Sequence, residues 1–201
     1  MRCSLVSRLI DETPLILGSG SPRRERILRS LGLEFEIDVP GVEEVVLPGE
    51  SPREHVLRLA REKAADVVAG RGRGTVLAAD TVVFIEGRIL GKPNDAADAA
   101  RMLRETRGRW HDVFTGLRIV RASDGTSAEG LEVTRVLMRD LSDADVDLYV
   151  GSGEPLDKAG SYAIQDCGSA VVERVEGCFY NVVGLPVVRM CRVLDELRGG
   201  L

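Results

Sequence analysis

The sequence predicts an α/β fold with a central mixed β-sheet flanked by helices. Strand-like and helix-like segments alternate along the 201 residues, which is typical of folds in which helices cover a sheet. Tight turns join some strand-like segments and helical crossovers join others, so both antiparallel and parallel pairs are expected. The composition, 44% hydrophobic and 29% charged, supplies ample material for a core.

The first segments predict a strand, a helix and a second strand. Residues 14–17 are apolar and end at a run of glycine and serine. A helix over residues 22–31 follows, because Pro22 is favoured at a first helical position and Gly32 at a helix end. Residues 34–39 alternate between polar and apolar side chains, as a half-buried strand does.

The clearest helix start lies at Ser51, where the sequence Ser-Pro-Arg-Glu forms a capping box with proline at the first helical position. This helix is predicted to extend to residue 70. Residues 75–85 are strand-like, and a Glu-Gly turn leads to a short return strand over 88–90.

The second half of the chain continues the alternation. Residues 95–106 predict a helix, and residues 110–121 and 131–139 predict two strands paired around a Ser-Asp-Gly-Thr turn. The remaining predicted elements are a short helix over 142–150, a Gly-rich loop, a strand near 170–175 and a C-terminal helix over about 186–197.

Charge and hydropathy exclude several classes of function. A balance of 27 basic against 32 acidic residues gives a net charge of −5, which argues against a nucleic-acid partner. No apolar run reaches the roughly 18 residues that span a membrane, and Asp11 and Glu12 interrupt any signal-peptide core. The expected location is the cytoplasm, without a membrane partner.

The cysteine pattern argues against a structural metal site. Cys3, Cys167, Cys178 and Cys191 form no C-x-x-C pair, and both histidines lie far from any cysteine in the sequence. The four residues are interpreted as reduced thiols in the core.

Lysine is scarce in this chain. Only three of the 27 basic residues are lysines, namely Lys63, Lys92 and Lys158. A chain that otherwise uses arginine is expected to keep lysine where a compact ammonium is needed, but a codon bias would give the same pattern.

The segment from Gly18 to Arg24 predicts an anion site. Its small residues allow backbone N–H groups to converge on an anion at a helix N-terminus. Arg23 and Arg24 stand at the helix end that disfavours cations, by about 0.3–1 kcal/mol each, so a bound phosphate is expected to compensate them. The alternative is a plain turn followed by solvated arginines.

Asp80 interrupts an otherwise apolar strand, where a carboxylate is rarely buried without a cation or strong donors. A metal ion, a lysine or a catalytic role would each explain it, and so would a pair with a structural arginine.

Lys63 lies on the apolar stripe of its helix, in line with Val56 and Leu59, whereas Arg58, Arg61 and Glu62 supply the solvated face. An inward ammonium needs an anionic partner, unless Lys63 reaches solvent at the edge of the stripe.

The other two lysines and the two histidines give weaker signals. Lys92 and Lys158 lie in loops with Gly and Pro, a usual place for ligand contacts. His55 and His111 belong to no recognisable Ser or Cys nucleophile pattern and are interpreted as structural residues.

Together these motifs closely resemble the Maf family, whose members are nucleoside triphosphate pyrophosphatases. The resembling segments are Ser-Gly-Ser-Pro-Arg-Arg at 19–24, Arg-Glu-Lys-Ala at 61–64, Ala-Asp-Thr-Val at 79–82, Gly-Lys-Pro at 91–93, Asp-Lys-Ala-Gly at 157–160 and Ala-Ile-Gln at 163–165. Threonine after the aspartate looks like the dTTP/UTP pyrophosphatase branch. The resemblance implies one domain over residues 14–201, preceded by an N-terminal extension over residues 1–13.

The resemblance implies an elongated structure related to the inosine triphosphatase fold, and a homodimer, since members are often dimers. It implies hydrolysis of a nucleoside triphosphate to the monophosphate and pyrophosphate with a divalent cation, Mg²⁺ or Mn²⁺. It leaves open whether house-cleaning of modified pyrimidine nucleotides is the cellular role.

The resemblance also assigns roles to residues. Asp80 matches the catalytic acceptor, Glu44 and Asp80 match the metal-binding carboxylates, and the substrate-selectivity positions fall on Arg23, Thr81 and Gln165. The residues expected to contact the substrate are Ser19, Ser21, Arg23, Arg24, Lys63, Thr81, Lys92 and Gln165.

Two other classes of function compete with this one. A nucleotide-binding regulator linked to cell division and septum formation would keep the phosphate-binding residues but would need neither Asp80 nor Glu44. A nucleic-acid-binding module is disfavoured by the acidic balance and by an aromatic content of 4%.

Overall fold

A computed structural model describes residues 4–10 and 12–199 of the chain and confirms the α/β class. Among these residues, seven strands form one mixed sheet. The strands are β1 (Leu15–Gly18), β2 (Phe35–Ile37), β3 (Thr75–Ile85), β4 (Arg88–Leu90), β5 (Trp110–Arg121), β6 (Ser127–Met138) and β7 (Val172–Glu176). The helices are α1 (Ser4–Ser7), α2 (Pro22–Ser30), α3 (Pro52–Val68), α4 (Ala96–Thr106), α5 (Asp143–Gly151), α6 (Phe179–Val183) and α7 (Val187–Leu197).

The sheet contains both kinds of strand pair, as the turns and crossovers predict. The strand order is β2-β1-β3-β5-β6-β7, with β4 paired to β3. Strand β1 is parallel to β2 and to β3, whereas the pairs β3–β4 and β6–β7 are antiparallel.

The chain divides into two compact units. The first unit comprises the described residues up to Asp80, the range Thr115–Glu132 and the described residues from Gly184 onward. The second unit comprises Thr81–Phe114 and Val133–Val183.

The core of the first unit packs helix α3 against its strands. Ile16, Ala64 and Val76 belong to one buried cluster there. Helix α3 comes unusually close to β5 at Gly116, where a Cβ atom would lie only 2.4 Å from the Val56 carbonyl oxygen. Glycine is therefore needed at position 116 for α3 to lie against this strand.

The N-terminal residues that precede β1 also pack in the first unit. Val6 and Leu9 are buried. Arg198 donates a hydrogen bond to the Arg8 carbonyl, and the Thr75 hydroxyl donates to the Glu12 carbonyl.

The second unit has its own apolar core, formed by the second half of β3 with α4, α5 and the neighbouring strands. Val83, Leu103, Met138 and Tyr149 lie in this cluster. Three short 3₁₀ turns, Glu154–Asp157, Ala159–Ser161 and Asp166–Ala170, follow α5.

Several boundaries differ from the sequence predictions. Strand β6 begins at Ser127 rather than at 131, because pairing across the turn extends beyond the apolar run, and β2 covers only three residues. Helices α1 and α6 and the 3₁₀ turns were not predicted from the sequence. In the described part of the chain, no helix is long and apolar enough to cross a membrane.

The expectation that the cysteines are core thiols is wrong for the three that the structure describes. Cys167 is exposed, and Cys178 and Cys191 are partly exposed. Cys167 lies in the last 3₁₀ turn, Cys178 between β7 and α6, and Cys191 in α7, so being a cysteine does not suffice for burial. Cys3 lies outside the described residues.

Candidate active site

The first unit contains a cluster of one lysine and two carboxylates. Lys63 Nζ lies 2.7 Å from Asp80 Oδ1 and 2.6 Å from Glu44 Oε1. Lys63 projects from α3, Asp80 from β3, and Glu44 from the irregular segment that precedes α3. The cation that the sequence requires beside a buried Asp80 is therefore Lys63, and the buried Arg24 adds a second nearby positive charge.

Burial differs among the three side chains. The side chains of Lys63 and Asp80 are each 6% exposed, whereas that of Glu44 is 40% exposed. A buried carboxylate is tolerated only where a cation or donors compensate it, and the Lys63 ammonium does so here. Lys63 thus lies on the buried stripe of α3, as predicted, and does not reach solvent at its edge.

Side chains of α3 hold the segment that carries Glu44. Arg58 donates to the Val45 carbonyl at 2.8 Å, and Asp66 accepts from the Gly41 backbone N–H at 2.9 Å. The residues on either side of Glu44 are therefore bonded to the same helix that presents Lys63.

Glu50 completes this support. It accepts hydrogen bonds from Arg58 at 2.6 Å and from the Leu47 backbone N–H at 3.1 Å, and it lies 3.0 Å from His55 Nδ1. Bonding to Arg58 lowers the pKa of Glu50 from 4.5 to about 2. His55 is buried in this structural role, as expected.

Arg58, predicted to lie on the solvated face, is only partly exposed, because it bonds to Glu50 and to the Val45 carbonyl. Its neighbours Arg61 and Glu62 are exposed, as predicted. Helical periodicity places Arg58 away from the core but cannot show that a folded-back loop covers it.

The Gly-rich turn before α2 is held from within by Arg24. Arg24 Nη1 donates to Ser19 Oγ at 2.9 Å, Arg24 Nε donates to the Gly184 carbonyl at 2.8 Å, and the Ser21 backbone N–H donates to Ser19 Oγ at 3.2 Å. Arg24 is buried, so it is not the solvated arginine of the alternative interpretation.

Burial lowers the pKa of Arg24 below its usual value, and the nearby charges of Asp80 and Glu44 oppose this shift. Arg24 thus shares an electrostatic environment with the two carboxylates. Arg23, the next residue toward the helix start, is partly exposed, and its charge acts on Arg24 in the opposite sense.

Seven of the predicted site residues belong to the first unit and three to the second. Ser19, Ser21, Arg23, Arg24, Glu44, Lys63 and Asp80 lie in the first unit, and Thr81, Lys92 and Gln165 lie in the second. Thr81 follows Asp80 in β3 and is partly buried, Lys92 is exposed after β4, and Gln165 is partly buried immediately before the last 3₁₀ turn.

Lys158 and His111, the third lysine and the second histidine of the chain, make local bonds in the second unit. Lys158 Nζ donates to the Glu154 carbonyl at 2.6 Å and to Asp157 Oδ1 at 2.7 Å. His111 Nε2 lies 2.7 Å from the Tyr162 hydroxyl, and burial lowers the pKa of His111 to about 4. Lys158 is thus bonded within its own loop, and His111 to a buried tyrosine.

The carboxylates of the first unit fit a cation that is bound together with phosphate. In the part of the chain that the structure describes, no group of three or more His, Cys, Asp or Glu side chains could hold a metal ion. Glu44 and Asp80 nevertheless converge on one ammonium group. Mg²⁺ is commonly bound by one or two carboxylates, with substrate phosphates and water as its other ligands.

Comparison with known proteins identifies close relatives. The family model described as Maf-like protein matches residues 14–197. A protein of Anaeromyxobacter dehalogenans strain 2CP-1, named dTTP/UTP pyrophosphatase, is 50% identical over 182 residues, which cover 90% of this chain and 92% of the relative. Proteins of the same name from Salinibacter ruber (47% identity; 90% of this chain and 89% of the relative) and Geotalea uraniireducens (45%; 92% and 93%) match similarly.

Proposed function

Because the chain belongs to the Maf-like protein family, we propose that it hydrolyses dTTP and UTP to the nucleoside monophosphate and pyrophosphate. The observation that carries the proposal is the buried Asp80, held at 2.7 Å by Lys63 beside a second, more exposed carboxylate, Glu44. A nucleotide-binding regulator would need neither carboxylate, so this arrangement favours the enzyme.

Asp80 is the proposed proton acceptor. Cleavage between the α- and β-phosphates requires a water molecule in line with the leaving pyrophosphate. Asp80 takes a proton from this water while the water oxygen forms a bond to the α-phosphorus. The bond between that phosphorus and the oxygen that bridges it to the β-phosphate breaks, and pyrophosphate leaves. In the substrate-free protein, Lys63 holds the Asp80 carboxylate in one orientation and compensates its charge.

Glu44 and Asp80 are the proposed ligands of Mg²⁺ or Mn²⁺. When bound, the cation would neutralise charge on the phosphate oxygens. The partial exposure of Glu44 supports this role, because an exposed carboxylate oxygen can exchange a water molecule for a cation that enters with the nucleotide.

Cations and backbone donors are the proposed ligands of the triphosphate. Ser19 and Ser21 border the start of α2, where N–H groups and the helix dipole favour an anion. Arg23, Arg24, Lys63 and Lys92 would add positive charge.

Gln165 is the proposed base-reading residue, with Thr81 and Arg23 as further selectivity positions. The amide of a glutamine offers an acceptor beside a donor, and a uracil or thymine edge offers N3–H beside O4, so the two can form a pair of hydrogen bonds. The small side chain of Thr81 leaves room for a pyrimidine.

The proposal is tested with purified protein and a panel of UTP, dTTP, CTP, GTP and ATP, assayed for pyrophosphate with Mg²⁺, with Mn²⁺ and with a chelator. UTP and dTTP should be cleaved roughly 5- to 150-fold faster than the others, because an unmet hydrogen bond in such a site costs about 1–3 kcal/mol. Release of inorganic phosphate instead of pyrophosphate would contradict the reaction, equal rates on all five would contradict the substrate assignment, and full activity with the chelator would contradict the cation.

We further propose that the protein is a homodimer and that it is located in the cytoplasm. The first rests on the family resemblance and the second on the sequence pattern. Sedimentation analysis at micromolar concentration should give twice the mass of one chain, and a single-chain mass would contradict the dimer.

A further inference from the structure

Three backbone N–H groups on either side of Gln165 donate to two side chains of the second unit. The Ala163 N–H donates to Tyr149 Oη at 3.1 Å. On the other side, the N–H groups of Cys167 and Gly168 donate to Glu154 Oε2 at 3.0 Å and to Glu154 Oε1 at 2.9 Å. The segment that carries Gln165 is therefore bonded both before and after this residue.

The two accepting side chains are bonded to each other. Tyr149 Oη donates to Glu154 Oε1 at 2.9 Å, so the tyrosine hydroxyl is donor and acceptor at once. Tyr149 is buried, and this burial raises its pKa above the usual value, so the hydroxyl keeps the proton that it donates. We call this pair, Tyr149 and Glu154, the clasp.

Packing around the clasp leaves little freedom. A Cβ atom on Gly168 would lie 2.2 Å from the Ala163 carbonyl oxygen and 2.8 Å from the Tyr149 hydroxyl oxygen, so the chain closes on itself only with glycine here. Glu154 is also held through its backbone, since Lys158 Nζ donates to its carbonyl at 2.6 Å. Lys158, which the sequence places in a loop suited to ligand contacts, thus holds the backbone of Glu154.

We propose that Tyr149 and Glu154 are positioning residues for base selection, because they fix the backbone from which the Gln165 amide projects. The inference rests on the proposed function and adds two residues to it. An amide that pairs with N3–H and O4 at once needs a defined origin, since an error of about 1 Å in position removes much of the benefit of such a pair. The clasp provides that origin without touching the substrate.

The test removes one atom from the clasp. Tyr149→Phe keeps the ring, leaves the Ala163 N–H without its acceptor, and takes a donor from Glu154. We expect the ratio of kcat/KM for UTP to kcat/KM for CTP to fall about 3- to 10-fold, the worth of about one hydrogen bond, while kcat on UTP stays within about twofold. Glu154→Gln, which can accept with only one oxygen, should act in the same direction.

A matched control and a double variant separate positioning from general destabilisation. Thr106→Val deletes a buried hydroxyl of the same unit that donates within α4, to the Met102 and Leu103 carbonyls, so the ratio should stay unchanged. In a Gln165→Ala background, Tyr149→Phe should lower the ratio no further, because the residue through which it acts is absent.

An unchanged ratio in both clasp variants would overturn the inference, and so would an equal loss with and without Gln165. In either case UTP preference of the unmutated protein would leave the proposed function standing. An unmutated protein without that preference would instead contradict the substrate assignment, and the inference would fall with it.

Discussion

Lys63 is the residue that bonds to both carboxylates of the cluster. Its ammonium reaches two carboxylate oxygens at 2.6 and 2.7 Å, and its own side chain and that of Asp80 are buried. A guanidinium is planar and sits on a longer stem, so it cannot replace a compact charge between these two oxygens without moving them. The choice of lysine in an arginine-rich chain thus has a physical reason at this position.

Lys63→Arg should therefore lower kcat/KM for UTP about 10- to 100-fold although the charge is kept. Lys92→Arg is expected to impair activity as well, if its ammonium acts as a point charge on phosphate. Arg61→Lys, an exposed position on the same helix, is the matched control and should remain fully active. Full activity in both Lys→Arg variants would contradict this explanation and would favour a codon bias as the reason for the few lysines.

Gln165 carries the prediction on base preference. Gln165→Glu removes the donor that would face O4 of uracil and supplies an acceptor for the cytosine amino group. The UTP-to-CTP ratio of kcat/KM should drop by about tenfold or more, with part of the preference inverted. A ratio that does not change would place base recognition elsewhere in the chain.

At the scale of elements, α3 both presents Lys63 and holds the segment that carries Glu44. Glu50 joins the two through Arg58 and His55. Because bonding to Arg58 lowers the pKa of Glu50 from 4.5 to about 2, the ionised form stabilises the fold. This contribution is complete above pH 4.5 and is lost as the pH falls towards 2.

Glu50→Gln should accordingly lower the free energy of unfolding by about 2–3 kcal/mol at pH 7, and this deficit should shrink as both proteins are taken to pH 2–3. Urea unfolding at the two pH values measures it. Glu62→Gln tests specificity, because Glu62 bonds the same arginine from an exposed position and should cost about 0.5 kcal/mol or less. A deficit of equal size at both pH values would show that ionisation of Glu50 does not stabilise the fold.

The sequence predicts those elements whose cause is local. The helix that starts at Ser51 follows from its capping box, which the structure contains. The inward direction of Lys63 follows from helical period, and the need of Asp80 for a cation follows from burial. Arg58 and Glu50 support Glu44 because the irregular segment before α3 folds back onto this helix. An irregular segment has no periodic pattern from which its path could be predicted.

The segment around Gln165 shows the same limit. Its 3₁₀ turns are too short to give a periodic pattern, and the clasp accepts hydrogen bonds from residues 13 or 14 positions further along the chain. The residue types of the motif were visible in the sequence, but Tyr149 and Glu154 looked like ordinary helix and turn residues. Only the fold shows that they accept the N–H groups on both sides of Gln165.

For the molecule as a whole, the proposal requires that a chain of net charge −5 bind a highly charged anion. Long-range attraction cannot supply this binding, so local groups must. The described structure contains such groups in the first unit, where Lys63 is buried against the two carboxylates and Arg24 is buried in the first turn of α2, near enough to feel their charge.

The central claim is that Asp80 performs chemistry and does not merely pair with Lys63. The direct measurement is UTP turnover together with UTP affinity for Asp80→Asn, with the exposed Asp195→Asn as a fully active control. Asp80→Asn should reduce kcat about 100- to 10,000-fold while Kd for UTP stays within about threefold, since a general base acts on the reaction more than on binding. Near-normal turnover in Asp80→Asn would contradict the account.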